Sequence, residues 1–172
     1  MAPDVRLVPL AEHHLDAVEA LLRDPDIERF TRIPVPVPEG FSRTWFERYE
    51  EGRAEGTREL FAGLDGSDEL VGMAMAPTID RDGREGELGY LVAPGHRGRG
   101  IGTELLRRLT QWWFGELGML RAELIIDAEN AASMGIARNC GYVHEGTLRS
   151  VHHKNGIRID ATIWSRLASD EA

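Results

Sequence analysis

A glycine-rich stretch at the start of a helix is the feature that most constrains this chain. The segment "HRGRGIGTELL", residues 96–106, places three glycines within five positions and then continues as a leucine-bearing helical pattern. Glycine costs about 1 kcal/mol relative to alanine inside a helix, so its repeated use indicates that something approaches the backbone closely. A helix N-terminus also presents unpaired N–H groups and a partial positive charge. The stretch therefore predicts a loop that binds an anion, above all a phosphate.

The segments before this loop predict strands and two helices. Residues 5–10 alternate as a first strand, and residues 13–24 carry apolar side chains at helical spacing until a proline stops the pattern. The proline-rich residues 32–40 predict an extended loop before a second helix, which we expect Ser42 to cap. From residue 58, three apolar segments separated by polar turns predict consecutive antiparallel strands.

The segments after the loop complete a mixed α/β pattern. We expect the loop helix to run to about Leu117, followed by a strand over 120–128 and a helix over 130–140 that Gly141 ends. Two final strands should form a hairpin that turns at Asn155-Gly156. The predicted order is β-α-α-β-β-β-α-β-α-β-β. No linker or repeat divides it, so residues 1–172 are predicted to form a single domain.

Charge and composition exclude several functional classes. The 172 residues carry a formal net charge of −9, which argues against a general nucleic-acid binder and mildly favours cationic substrates such as amines. No apolar run is long enough to span a membrane, and no secretory signal pattern is present. The single cysteine, Cys140, cannot form an internal disulfide, which predicts a cytoplasmic protein.

Three phosphate-binding designs compete for the glycine stretch. A P-loop is excluded because the lysine and Ser/Thr pair after the last glycine is missing. The dinucleotide fingerprint fails because Thr103 stands where its third glycine belongs and antiparallel strands come before it. The third design, Arg-x-x-Gly-x-Gly after a strand, is matched by Arg97, Gly100 and Gly102. The alternative is that the glycines only form a tight turn between a strand and a helix and bind no ligand.

Two motifs together resemble a known family. Residues 88–106, "LGYLVAPGHRGRGIGTELL", are similar to the pyrophosphate-binding motif of the GNAT superfamily of acyl-CoA-dependent N-acyltransferases. Residues 127–149, "DAENAASMGIARNCGYVHEGTLR", resemble the branch that contains the ribosomal-protein N-terminal acetyltransferases. The positions that match this branch are Asn130, Ser133, Gly141, Tyr142, Glu145, Gly146, Gly156 and Asp160.

The resemblance implies a fold and a cofactor. It implies a mixed, mostly antiparallel seven-stranded sheet, flanked by about four helices and splayed between the fourth and fifth strands. Acetyl-CoA would lie in the splay as co-substrate, without a metal. Its pantetheine arm would pair with the backbone of Leu91 and Val92, and the Val92 N–H would polarise the thioester carbonyl. Its pyrophosphate would bind the N–H groups of Arg97, Gly98, Arg99, Gly100, Ile101, Gly102 and Thr103.

The same resemblance suggests catalytic groups, each with a simpler alternative. Glu87 would relay the amine proton through water, or is a solvated acid in an acid-rich turn. Many family members protonate the thiolate with a tyrosine, whose position holds Ala137 here. Ser133 would contact the CoA sulfur instead, or only caps the helix. Asn130 could cap that helix and also hold the pantetheine amide.

Other polar side chains are weaker candidates. His152 is an alternative base at neutral pH, although exposed hairpin histidines are commoner. A metal site formed by His152, His153 and Asp160 lacks reliable ligand spacing. Cys140 is expected to be a small buried hydrophobe, which argues against an acyl-cysteine intermediate.

The acceptor is the part that the sequence leaves open. By resemblance, residues 32–46 and 149–158 surround it, and Trp45 and Phe46 either shape a pocket or pack in the core. The predicted activity is direct acetyl transfer from acetyl-CoA to a primary amine in a ternary complex, with a protein N-terminus as one acceptor. A polyamine, amino acid or aminoglycoside is the alternative acceptor. A non-catalytic acyl-CoA-binding domain is the rival function, and a homodimer is allowed.

Overall fold

A seven-stranded mixed sheet forms the centre of the protein. The computed structural model describes residues 3–170. The sheet order is β1-β2-β3-β4-β5-β7-β6, and every neighbouring pair is antiparallel except β4 and β5. The strands are β1 (Arg6–Pro9), β2 (Glu59–Leu64), β3 (Leu70–Asp80), β4 (Glu85–Val92), β5 (Arg121–Asp127), β6 (Val143–Lys154) and β7 (Ile157–Leu167).

The sheet opens between β4 and β5, as predicted. The two strands pair in parallel only through residues 85–87 of β4 and 121–123 of β5. Beyond this point β4 pairs with β3 alone, and β5 pairs with β7. Residues 88–92 and 124–127 therefore border a gap in the sheet. Their backbone groups on that side have no partner strand among the described residues.

Within residues 3–170, five α-helices flank the sheet, one more than expected. They are α1 (Leu15–Leu22), α2 (Pro25–Phe30), α3 (Phe41–Glu55), α4 (Ile101–Gln111) and α5 (Ala131–Asn139). The additional helix is α2, which begins at the proline that was predicted only to end α1. The Asp24 side chain caps it by accepting hydrogen bonds from the N–H groups of Asp26 and Ile27. Proline suits the first turn of a helix, because its missing N–H has no partner there in any case.

The helices cover the two faces of the sheet unequally. Apolar residues of α1, α2 and α3 pack with Leu60, Met73 and Leu91 on one face. Those of α4 and α5 pack on the opposite face with Leu88 and with apolar residues of β2, β3, β5 and β7. Alternation along β4 places Leu88 and Leu91 on opposite faces. The helices α4 and α5 therefore lie on the face of the sheet opposite to α1, α2 and α3.

Three local predictions have clear outcomes. Trp45 and Phe46 are buried in the core under α3, so they pack and do not line an open pocket. Ser42 does not cap α3, because the helix already begins at Phe41. Gly40, with a left-handed backbone, occupies the cap position. The Asn155-Gly156 turn is confirmed, and both residues have positive φ angles of 50° and 77°, as a tight hairpin turn requires.

Among residues 3–170, no helix is both long enough and apolar enough to cross a membrane.

Candidate active site

The glycine loop presents a row of free backbone donors at the start of α4. Gly98 and Gly100 have left-handed φ angles of 71° and 80°, and α4 has no side-chain cap. The first helical hydrogen bond runs from the Glu104 N–H to the Gly100 carbonyl, at 3.1 Å. Within residues 3–170, the N–H groups of positions 98–103 find no acceptor. Six consecutive donors at the positive end of a helix are suited to a pyrophosphate.

Gly102 differs from the other glycines of the loop, because it faces the protein interior. A Cβ atom at this position would lie 2.8 Å from the Ile136 Cδ1 atom and 3.3 Å from ring and methyl carbons of Tyr90 and Val92. Gly102 therefore allows α4 to pack closely against α5 and β4. At Gly98 a Cβ atom would meet nothing within 4 Å, so that position is open to a ligand.

The two arginines of the loop differ in their ion pairs: Arg97 is paired with two carboxylates, and Arg99 is exposed to solvent. The Arg97 guanidinium donates to the Asp24 carboxylate and, at 2.9 Å, to Asp26, both at the start of α2. Burial raises the pKa of Asp24, but Arg97 and the N–H groups of Ile27 and Asp26 outweigh burial and leave this pKa below its usual value. Arg99 is exposed and has no ion-pair partner within the described part of the chain. Arg99 alone is thus free to offer positive charge to a phosphate.

The backbone of β4 offers two free positions to the gap. Beside Val92, the ladder bond to β3 runs from the Ala93 N–H to the Val71 carbonyl. Val92 is thus a non-hydrogen-bonded position of the antiparallel ladder, and its N–H and carbonyl point away from β3. Tyr90 shares this orientation, whereas Leu91 uses both groups on β3. The backbone orientation therefore favours Tyr90 and Val92 over Leu91 as partners of a pantetheine arm, and the sequence analysis did not single out Tyr90.

The first turn of α5 lies on the opposite side of the gap. The Asn130 side chain caps this helix by accepting a hydrogen bond from the Ser133 N–H, at 3.0 Å. The cap is thus Asn130, as predicted, and the Ser133 hydroxyl takes no part in capping the helix. Its hydroxyl forms a hydrogen bond of 2.9 Å with the Tyr90 hydroxyl. Burial raises the pKa of Tyr90 to about 12, although the bond to Ser133 opposes this rise.

Glu87 lies on β4 where the pairing with β5 ends. Its side chain is 18% exposed and forms an ion pair with Arg32, in the loop that follows α2. Burial raises the pKa of Glu87, Arg32 lowers it, and the neighbouring Glu123 of β5 adds to the rise; the net shift is upward. Glu87 is therefore a half-shielded carboxylate with enhanced basicity, and not the solvated acid of the alternative interpretation.

The tip of the β6–β7 hairpin is joined to α2. The Lys154 ammonium donates to the carbonyls of Glu28 and Thr31, at the end of that helix. His152 is half-buried on β6, and burial followed by Arg32 lowers its pKa below the usual value while Asp127 opposes this. His152 is thus a neutral side chain close to Arg32. Among residues 3–170 no three His, Cys, Asp or Glu side chains cluster in a way that could hold a metal ion.

Cys140 is buried at the end of α5, as predicted. Its thiol lies 3.5 Å from the Thr103 carbonyl, and burial raises its pKa. A thiol that is buried and protonated in this way is a poor nucleophile.

Several residues of the second motif have structural tasks in the hairpin. Glu145 forms an ion pair with Arg121, which together with the Ser165 hydroxyl lowers the pKa of Glu145 to about 2. Gly146 lies at a shift of the β6–β7 register. The Asp160 carboxylate accepts a hydrogen bond of 2.7 Å from the Ser150 N–H, within the second such shift. These contacts hold β6 and β7 together and join β6 to β5.

The comparisons with known proteins agree with this geometry. A model described as the acetyltransferase (GNAT) domain matches residues 4–143. The chain is 25% identical over 150 residues to a Bacillus licheniformis protein named "Uncharacterized N-acetyltransferase p20", covering 87% of this chain and 84% of the relative.

Two solved structures show the same fold. The structure of RimL, a ribosomal alpha-N-protein acetyltransferase in complex with coenzyme A, has a TM-score of 0.88 at 18% identity and covers 95% of this chain and 94% of its own. The spermidine N-acetyltransferase of Vibrio cholerae, in complex with CoA and spermine, has a TM-score of 0.85 at 23% identity and covers 96% of each chain. The chain belongs to the GNAT acetyltransferase family, as its two motifs predicted.

Proposed function

We propose that this protein transfers an acetyl group from acetyl-CoA to a primary amine by direct attack. The observation that carries the proposal is the placement of six free N–H donors, at positions 98–103, at one mouth of the gap that β4 and β5 leave open. The donors suit the pyrophosphate of CoA. The gap is bordered by free strand positions, which suit the amide-containing pantetheine arm. RimL and the Vibrio cholerae enzyme have the same fold and contain CoA.

The amine approaches from the α2 side, where Glu87 faces the gap. Glu87 accepts the proton of the ammonium group, directly or through one water, and the free amine attacks the thioester carbonyl carbon. The C–N bond forms while the carbonyl oxygen becomes an oxyanion. The C–S bond then breaks, the nitrogen loses its second proton, and the CoA thiolate takes up one proton, so that the products are a neutral amide and free CoA thiol.

The oxyanion needs an N–H donor from β4. Val92, the predicted donor, lies five residues from Glu87, which is about 17 Å along an extended strand. Tyr90 lies three residues from Glu87, or about 10 Å, and its N–H also points into the gap. An amine that is held by Glu87 therefore attacks a carbonyl closer to the Tyr90 N–H. We assign the oxyanion to Tyr90 and the next pantetheine contact to Val92.

We propose a primary amine as the acceptor and do not choose among the kinds of primary amine. Glu87 and Glu123 form adjacent carboxylates at the acceptor side of the gap, which favours an acceptor that arrives as an ammonium ion. A polyamine, an amino acid and a protein N-terminus all meet this condition. The single buried cysteine is consistent with the cytoplasmic location predicted for the protein. The homodimer stays a prediction, which sedimentation analysis tests.

A thiol-release screen tests the proposed function. Purified protein is mixed with acetyl-CoA and a panel of peptides, polyamines, amino acids and aminoglycosides, and free CoA thiol is measured against a blank without amine. We expect amine-dependent release with at least one class, and mass spectrometry should find that amine heavier by one acetyl group in place of one hydrogen. Binding of acetyl-CoA without release for any amine would favour a non-catalytic acyl-CoA-binding domain. Failure to bind CoA would contradict both functions.

A further inference from the structure

We infer that the Tyr90 hydroxyl is a positioning group that turns the Ser133 hydroxyl hydrogen toward the sulfur of departing CoA. The inference rests on the proposed function and adds a residue to it. The contact joins the two sides of the open gap, because Tyr90 belongs to β4 and Ser133 to the first turn of α5. The two hydroxyl oxygens are 2.9 Å apart, the distance of a good O–H···O hydrogen bond.

Both partners are held in place by their surroundings. The Ser133 backbone is fixed by the Asn130 cap of α5. The Tyr90 ring lies over Gly102, where even a methyl group would come within 3.3 Å of the ring. The lack of a side chain at Gly102 thus leaves room for the ring. Ala137, where the family resemblance places a tyrosine, is fully buried in the core and offers no hydroxyl.

The direction of the hydrogen bond decides what Ser133 can do. Each hydroxyl has one hydrogen, so only one of the two can donate to the other. With a pKa raised to about 12 by burial, Tyr90 stays protonated at neutral pH and remains able to donate. When Tyr90 donates to Ser133, the hydrogen of Ser133 is free to bond to a thiolate in the gap. That bond matters most as negative charge develops on sulfur, and so acts on kcat more than on CoA binding.

A double-mutant cycle on Tyr90 and Ser133 tests the inference. Tyr90→Phe keeps the ring over Gly102 and removes only the hydroxyl. We expect Tyr90→Phe to lower kcat by about tenfold, the usual size of one lost hydrogen bond of about 1.4 kcal/mol, and to change the Kd of CoA by less than about twofold. Ser133→Ala should lower kcat at least as much. The double variant should be no slower than Ser133→Ala, because Tyr90 acts only through Ser133.

A matched control exists in the same molecule. The Tyr142 hydroxyl forms a buried hydrogen bond of 2.8 Å with the Thr110 hydroxyl, away from the gap. Tyr142→Phe removes the same kind of bond, and should lower the melting temperature while leaving kcat unchanged. A fall in kcat that occurs for Tyr90→Phe and not for Tyr142→Phe cannot be a general effect of stability.

Each other outcome has a defined meaning. If the two single effects on kcat multiply in the double variant, or if Tyr90→Phe changes only the melting temperature, the inference is overturned while the proposed function stands. If the unaltered chain binds CoA but turns over no amine, the proposed catalysis fails and this inference fails with it. A large rise in the Kd of CoA for Tyr90→Phe would make Tyr90 a binding residue and would also overturn it.

Discussion

The cofactor side and the acceptor side of the gap are built in different ways. The cofactor side consists of backbone groups whose positions depend on nearby sequence: two left-handed glycines, the first turn of α4 and the free positions of β4. The acceptor side consists of side-chain contacts between distant segments. Arg32 meets Glu87 over 55 residues, and Lys154 meets Thr31 over 123. A local motif can therefore define the first side and cannot define the second.

The short helix α2 is the element that connects the two sides. Asp24 at its start holds Arg97 of the cofactor loop, Lys154 binds its end, and Arg32 just beyond it holds Glu87. The segment 24–32, which contains α2 and its two ends, thus contacts the loop, the hairpin and the proposed base. If the two sides are truly different in construction, changes at the acceptor side should affect turnover and changes in the loop should affect CoA binding.

The largest effect is expected for Glu87→Gln. The amide keeps the size and hydrogen-bonding capacity of the side chain and removes its basic site, so kcat at pH 7 should fall by about 100- to 10,000-fold. The Kd of CoA, measured by calorimetry, should stay unchanged, because Glu87 is not among the groups proposed to bind CoA. Undiminished turnover would remove Glu87 as the base and direct attention to His152, which is half-buried and neutral near Arg32.

A smaller effect, on the opposite side, is expected for Gly100→Val. The φ angle of 80° is strained for a β-branched residue, and the added side chain would stand beside the free N–H groups of the loop. We expect CoA binding to weaken by roughly tenfold or more, while kcat at saturating acetyl-CoA changes little. Gly95→Ala is the control, because a Cβ atom at Gly95 meets nothing within 4 Å and its φ angle is not positive. Equal CoA affinity of both variants would contradict the phosphate-binding role of the loop.

The different construction also explains what the sequence could and could not predict. Alternating and helical apolar patterns identified all seven strands and four of the helices, since these signals are local. The sequence analysis missed α2 because it interpreted Asp24-Pro25 only as the end of α1. Aspartate followed by proline is also typical of the N-cap and first residue of a new helix. The ion pairs Arg32–Glu87 and Arg97–Asp24 have no local signal. The direction of the Leu91 backbone groups depends on the register between β3 and β4. The alternating apolar pattern is the same for two registers that differ by one residue, so the sequence could not predict this direction.

A weaker effect is expected for Asp24→Asn, which tests the connection through α2. Asparagine caps a helix about as well as aspartate, so α2 should persist while Arg97 loses its charged partner. The loop then has more freedom, and its ordering on binding should raise the Kd of CoA by about threefold to tenfold. The control is Arg23→Gln, which breaks the exposed pair with Glu19 on α1. Tighter CoA binding by Asp24→Asn would mean instead that Asp24 competes with phosphate for Arg97.

The smallest effect is expected for Arg32→Gln and concerns pH. Burial raises the pKa of Glu87 and Arg32 partly opposes that rise, so removing the guanidinium should raise this pKa further. Because the base must be deprotonated, the rising limb of kcat against pH should move to higher pH, with the plateau above it retained. Arg43→Gln, which breaks the exposed pair with Glu12, should leave the profile unchanged. A limb that stays in place, or moves to lower pH, would separate Arg32 from the base and show that the acceptor side does not depend on this contact.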